Sequence, residues 1–220
     1  MFSIPHTFAS EDESYITMPA LRRFAKEKRK EDLKTTVDRS QLIKDIESYA
    51  NQSEENKEIV LDWLDQVLIE GIKDTQIKYL EDNSFIDFLL NDTYIESILS
   101  PALVDSKYCH LCGHYTDTLR LYRYKIVPDS DQGRRIMLYL GKLICIYDKK
   151  TGSASVPYPV FVDIFLDKRL IVARAKSRAG MYKYMDSFVL ETATSTTAEK
   201  ELDKAIKHVC KLFSIETVSK

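Results

Sequence analysis

The chain has 220 residues, 44% hydrophobic and 30% charged, with four cysteines and a formal net charge of −2. This composition lies outside the disordered class, supplies one large or two small cores, contains no apolar run long enough to span a membrane, and holds too few cysteines for a disulfide scaffold. The net charge conceals a sorting into blocks: residues 1–19 carry −3, residues 20–44 +5, residues 45–107 −11 and residues 108–220 +7.

Blocks of one sign create fields that select partners, phosphate or acidic protein for the basic ones and basic surfaces for the acidic one. Residues 1–14 lack the basic and apolar regions of a signal peptide, and with the sparse cysteines this reads as a cytoplasmic protein. From residue 18 to residue 99 apolar residues recur at helical spacing. Leu21, Phe24 and Ala25 line one side of a first helix whose other side is Arg22, Arg23, Lys26 and Arg29. Leu42, Ile43, Ile46, Tyr49 and Ala50 line a second, with Asp38 or Ser40 as its cap. Ser53 opens a third, whose stripe is Ile59, Val60, Trp63, Leu64, Val67 and Leu68, and Gly71 suits its left-handed end. Two short helices follow around Phe85 and Ile95, up to Pro101.

After Tyr108 the period changes to that of strands bounded by turn residues. Strands are expected over 120–127, 135–147, 159–166 and 170–176, the last two joined by Asp167-Lys168-Arg169 as a hairpin, and a final helix over 197–213 is capped by Thr196 or Thr197. The expected fold is α+β: an N-terminal helical layer (1–107) followed by a small antiparallel sheet with a C-terminal covering helix (108–220).

Four groups of residues point to chemistry. In residues 20–50, Leu21, Leu33, Arg39, Ser40, Leu42, Ile43 and Ile46 occur in an order that resembles the SAP-type helix-extension-helix module of DNA-binding proteins, although Thr35-Thr36-Val37 stands where that family carries a loop glycine. The charges make the physical case: Arg22, Arg23, Lys26, Arg29 and Lys30, with Arg39, can neutralise phosphates, and the helix start at Ser40 offers free N–H groups to one more. On the strand over 170–176, period 2 places Leu170, Val172, Arg174 and Lys176 on one side, continued by Arg178, with Lys168 and Arg169 at the hairpin tip and Tyr182, Lys183 and Tyr184 beyond. Cations interleaved with aromatic rings are what a nucleic-acid groove needs; a guarded sheet edge uses similar charges.

The same hairpin, with Asp163 before the turn and Lys176 after it, looks like the core hairpin of PD-(D/E)XK nucleases. Arg174 stands where that family needs a second metal-binding acid, which points to a relative that binds nucleic acid without cutting it. Cys109-His-Leu-Cys112-Gly-His114 has the turn of a zinc knuckle, so Cys109, Cys112 and His114 are candidate ligands of a structural zinc; the alternative is small buried thiols. The reading is a DNA- or RNA-binding protein, regulatory or accessory to a DNA-processing or defence system, with no catalytic residues. The competing readings are a protein-interaction adaptor using the acidic helices of residues 45–107, and a metal-dependent nuclease relative.

Overall fold

The computed structural model describes residues 1–4, 6–9, 15–28, 38–70, 74–81, 85–104, 115–128 and 133–218; they fall into two compact units, one within Met1–Gly71 and one within Ile72–Lys220. The fold is α+β. Among the described residues no helix is long and apolar enough to cross a membrane.

The first unit is helical: α1 (His6–Ala9), α2 (Met18–Lys28), α3 (Arg39–Ala50) and α4 (Glu54–Glu70). Each longer helix begins where a side chain takes up an orphan N–H. Thr17 Oγ1 accepts from Ala20 N, Asp38 from Gln41 N at 2.8 Å, and Ser53 Oγ from Asn56 N at 3.0 Å. Leu21, Phe24 and Ala25 of α2, Leu42, Ile46 and Ala50 of α3, and Val60, Leu64 and Leu68 of α4 are buried. Trp63 is half-buried, its ring 4.6 Å from that of Phe24. The chain before α2 straps onto α3: Phe2 N–H donates to Asn51 Oδ1 and Ile4 N–H to Glu47 Oε1.

The second unit holds β1 (Asp74–Tyr79), α5 (Phe85–Phe88), α6 (Asp92–Ala102), β2 (Arg120–Val127), β3 (Arg135–Asp148), β4 (Gly152–Phe165), β5 (Leu170–Ala175), β6 (Met181–Lys183) and α7 (Ala198–Phe213). The boundary expected at residue 107 is therefore corrected. Residues 74–79 form a strand on the outer side of β5, with Ile77 opposite Val172, so this part of the acidic stretch belongs with the sheet. The sheet is antiparallel in the order β1-β5-β4-β3-β2, and β6 also pairs with β3. Pro157 and Pro159 are tolerated in β4 because β5 pairs only with residues 160–165, which leaves the proline segment with β3 as its ladder partner.

One face of the sheet is the core. Ile136, Leu138, Leu140 and Ile144 of β3, Tyr158, Val160, Val162 and Ile164 of β4, and Ile171, Ala173 and Ala175 of β5 gather with Leu202, Ala205, Ile206, Val209 and Phe213 of α7. Those α7 positions recur at three- and four-residue spacing, which places them on one helix side. Thr197 caps the helix through Lys200 N, and Ser214 ends it in the left-handed conformation (φ 53). Burying each large side chain contributes roughly 1.5–3 kcal/mol.

Candidate nucleic-acid interface

The opposite face of the sheet is built of three in-register rows, because directly paired residues share a face. Nearest the β4–β5 turn, one row runs Tyr79, Leu170, Phe165, Arg135, Val127 across all five strands. The next runs Ile77, Val172, Asp163, Met137, Lys125, and the third Thr75, Arg174, Phe161, Tyr139, Arg123. The centres of the second and third rows are closed, with Asp163, Val172, Phe161 and Tyr139 buried. The first row is open throughout: its five members are all partly or fully exposed, and Tyr79 shows 55% of its surface.

Cations surround this open row. The Arg135 guanidinium carbon lies 6.0 Å and the Lys168 ammonium 5.8 Å from the centre of the Phe165 ring, at the outer reach of a cation–π contact. Lys168 and Arg169 are exposed at the turn, and Lys125 is exposed at the end of the adjoining row. Carboxylates also lie near this row: among the described residues Glu81 and Glu216, whose backbones pair beside Tyr79, are exposed, as is Asp167 at the turn. Asp163 forms an ion pair with Arg174, and Asp167 accepts a hydrogen bond from the backbone N–H of Arg134 at 3.0 Å. Arg169 holds a φ of 49, a conformation costing about 1–2 kcal/mol for a residue other than glycine.

The cations singled out from the sequence are distributed differently. Arg174 is not part of an open cationic row: its side chain is 24% exposed and paired with Asp163 on the neighbouring strand. β5 ends at Ala175, so Lys176 and Arg178 lie beyond the strand. Burial pulls both below their ordinary pKa ranges. Arg178 and Tyr182 line a cavity of about 450 Å³ whose lining also includes Asp74 and Glu199. The Tyr182 ring meets Phe188 edge-on at 5.2 Å, Tyr184 donates to Asp186, and Lys183 is exposed.

In the helical unit Arg22, Arg23 and Lys26 are exposed on α2. Arg39 is turned inward and donates to the carbonyls of Ala9 at 2.6 Å and Ile16 at 2.7 Å, so it ties the N-terminal strap to α3. The helix start expected to offer N–H groups to a phosphate carries the Asp38 carboxylate, which takes Gln41 N–H. Arg29, Lys30 and Leu33 lie outside the described residues.

The zinc candidates Cys109, Cys112 and His114 also lie outside the described residues. Of the other two cysteines, Cys145 sits on the second sheet face beside Ser155 and Cys210 packs on the core side with α7. Among the described residues no three His, Cys, Asp or Glu side chains gather as metal ligands. At the nuclease-like hairpin the Arg174 guanidinium occupies the Asp163 carboxylate, the first ligand such chemistry would need.

Tyr79, Phe165 and Arg135, which build the open row, were missed by sequence reasoning. The available signal was the period-2 pattern of Asp74-Thr-Gln-Ile-Lys-Tyr79, which alternates exposed Ile77 and Tyr79 with inward positions. Compared with known families, curated proteins and solved structures, the chain matches none.

Proposed function

We propose that this protein binds nucleic acid through the open row of the second sheet face, and that the exposed Arg22, Arg23 and Lys26 of α2 supply a separate contact. The observation that carries the reading is the group Arg135, Lys168, Arg169 and Lys125 on the sheet face that also carries the partly exposed Phe165 and the exposed Tyr79. Such a patch attracts a polyanion and offers rings beside its charges. The left-handed Arg169 supports it: a turn position that glycine would fill without strain carries a cation instead. A binding role, accessory or regulatory to DNA processing or defence in the cytoplasm, fits better than cleavage, since Asp163 is held by Arg174.

Fluorescence anisotropy with labelled oligonucleotides over a salt series tests this. The parent should bind with an affinity that falls steeply with salt. Arg135→Glu with Lys168→Glu should weaken binding and flatten the log–log slope by about 1–2, since each lost phosphate contact removes about 0.7–0.9. Equal affinity and slope in parent and variant would remove this face from the proposal.

A second reading has its own observation. Glu54, Glu55, Glu58, Asp62 and Glu70 are exposed on α4, an acidic surface suited to a basic protein partner. Loss of a protein partner on Glu55→Lys with Asp62→Lys, with oligonucleotide binding unchanged, would support an adaptor role.

A further inference from the structure

Resting on the nucleic-acid reading, we infer that the ligand of the open row is a single strand whose unpaired bases lie on Tyr79 and Phe165. In a duplex the flat faces of the bases are already stacked on each other, and a side-chain ring reaches them only after unstacking; a single strand presents those faces directly. The open row carries two rings on one sheet face. Tyr79 on β1 and Phe165 on β4 are separated by Leu170 of β5, two strand spacings or about 9–10 Å. Tyr79 and its neighbour Ile77 are each 55% exposed at the sheet edge, an apolar exposure that a protein keeps at a site of use more often than elsewhere.

The charges favour nucleic acid over an apolar protein segment as the occupant. Arg135 and Lys168 lie over the Phe165 ring at the outer reach of a cation–π contact, and Arg169 and Lys125 are exposed nearby, so a base that stacks on Phe165 takes the place of a cation on the ring face and brings its phosphate to that cation. The sheet edge next to Tyr79 is partly closed by the chain itself: Leu80 bridges Thr217, and Val218 N–H donates to the Tyr79 carbonyl. An added protein strand would have to compete with that pairing, whereas a base on the face of the tyrosine ring would not.

The test uses the full chain with three probes of equal length, an oligo-dT, an oligo-rU and a mixed-sequence duplex. At least one single strand should bind tenfold or more tightly than the duplex. Tyr79→Ala should lower single-strand affinity about five- to 150-fold, the loss of one base–aromatic stack, while Tyr79→Phe retains it. Neither change should alter the salt slope, because no phosphate contact is removed. Phe165→Leu, which keeps apolar volume but removes the ring, covers the case in which a smaller replacement at Phe165 fails to fold, and it should weaken the single strand alone. Equal binding of duplex and single strands, unaffected by Tyr79→Ala but weakened by Lys168→Glu, would overturn the single-strand inference and leave the nucleic-acid reading standing. No salt-dependent binding of any probe would overturn both.

Discussion

Among the described residues two other than glycine have a positive φ, Arg169 and Ser214, and they make different statements. Ser214 follows α7, where a left-handed residue lets its own N–H and that of Ile215 return to the last carbonyls. Its conformation costs about 1–2 kcal/mol, more than the about 0.4–1 kcal/mol of unfolded-chain entropy that glycine brings. Ser214→Gly should therefore raise the urea midpoint, by about 0.5–1 kcal/mol of stability with an unchanged m value. A lower midpoint would mean that the serine side chain contributes more than the strain removes. Gly180 is the opposite case: at φ +64 an added Cβ would lie 2.1 Å from the Tyr147 carbonyl oxygen, so Gly180→Ala should destabilise through both strain and clash. Asp163 and Arg174 show what a sequence can and cannot reveal at this scale. The spacing placed a cation where a nuclease needs an acid, but the contact between the two is diagonal, across a strand pair that spacing alone does not define.

Among the elements, α7 is fixed to the sheet by charge as well as by apolar packing. Glu201, 2% exposed, accepts from Lys142 of β3 at 2.7 Å, from Lys204 at 2.6 Å and from Thr196 Oγ1 at 2.5 Å. Burial alone would raise its pKa, but the hydrogen bonds from Lys142, Lys204 and Thr196 carry it below the ordinary 4.5. A carboxyl with a depressed native pKa contributes stability that is complete above its unfolded pKa and is lost as pH falls through the native value. The urea midpoint of the parent should thus decline below about pH 4.5. Glu201→Gln should lack that component of the decline and be less stable at neutral pH by about 3–5 kcal/mol, because Lys142 is left buried beside a neutral group. Replacing the pair together, Lys142→Met with Glu201→Leu, should recover most of the loss. A pH profile in Glu201→Gln identical to the parent's would contradict the assignment.

The longer elements were legible because their signals are local: α4 and α7 have uninterrupted apolar stripes behind a capping hydroxyl, and β2 has turn residues after it. β1 was not. It is six residues long, follows the helices of the first unit within an acidic stretch, and becomes a strand by pairing with β5 far along the chain. β4 was read too short for a related reason: Pro157 and Pro159 argue against a strand unless the neighbour's extent is known. On β5, Leu170, Val172 and Arg174 share one face as expected, but Arg174 is paired with Asp163 on the neighbouring strand, which period-2 counting does not show.

For the molecule as a whole, the charge blocks take on a more specific meaning once the chain is folded. The acidic stretch divides, with α3 and α4 in the helical unit and β1, α5 and α6 beside the sheet, so its −11 is not one surface. The basic C-terminal part likewise resolves into an ion pair at Arg174, a mixed-sign cavity at Arg178, a buried lysine at Lys142, and the open group around Phe165. The last joins an exposed ring, Tyr79, and a partly exposed one, Phe165, to exposed cations. The central claim is therefore about place: nucleic acid is held on the row that contains Tyr79 and Phe165. Ultraviolet crosslinking of the full chain to a single-stranded oligonucleotide, with the attached peptides mapped by mass spectrometry, tests it most directly. Crosslinks should fall on the peptides carrying Tyr79 and Phe165 and disappear in high salt; crosslinks confined to the Tyr182–Tyr184 segment, or to α2 alone, would contradict it.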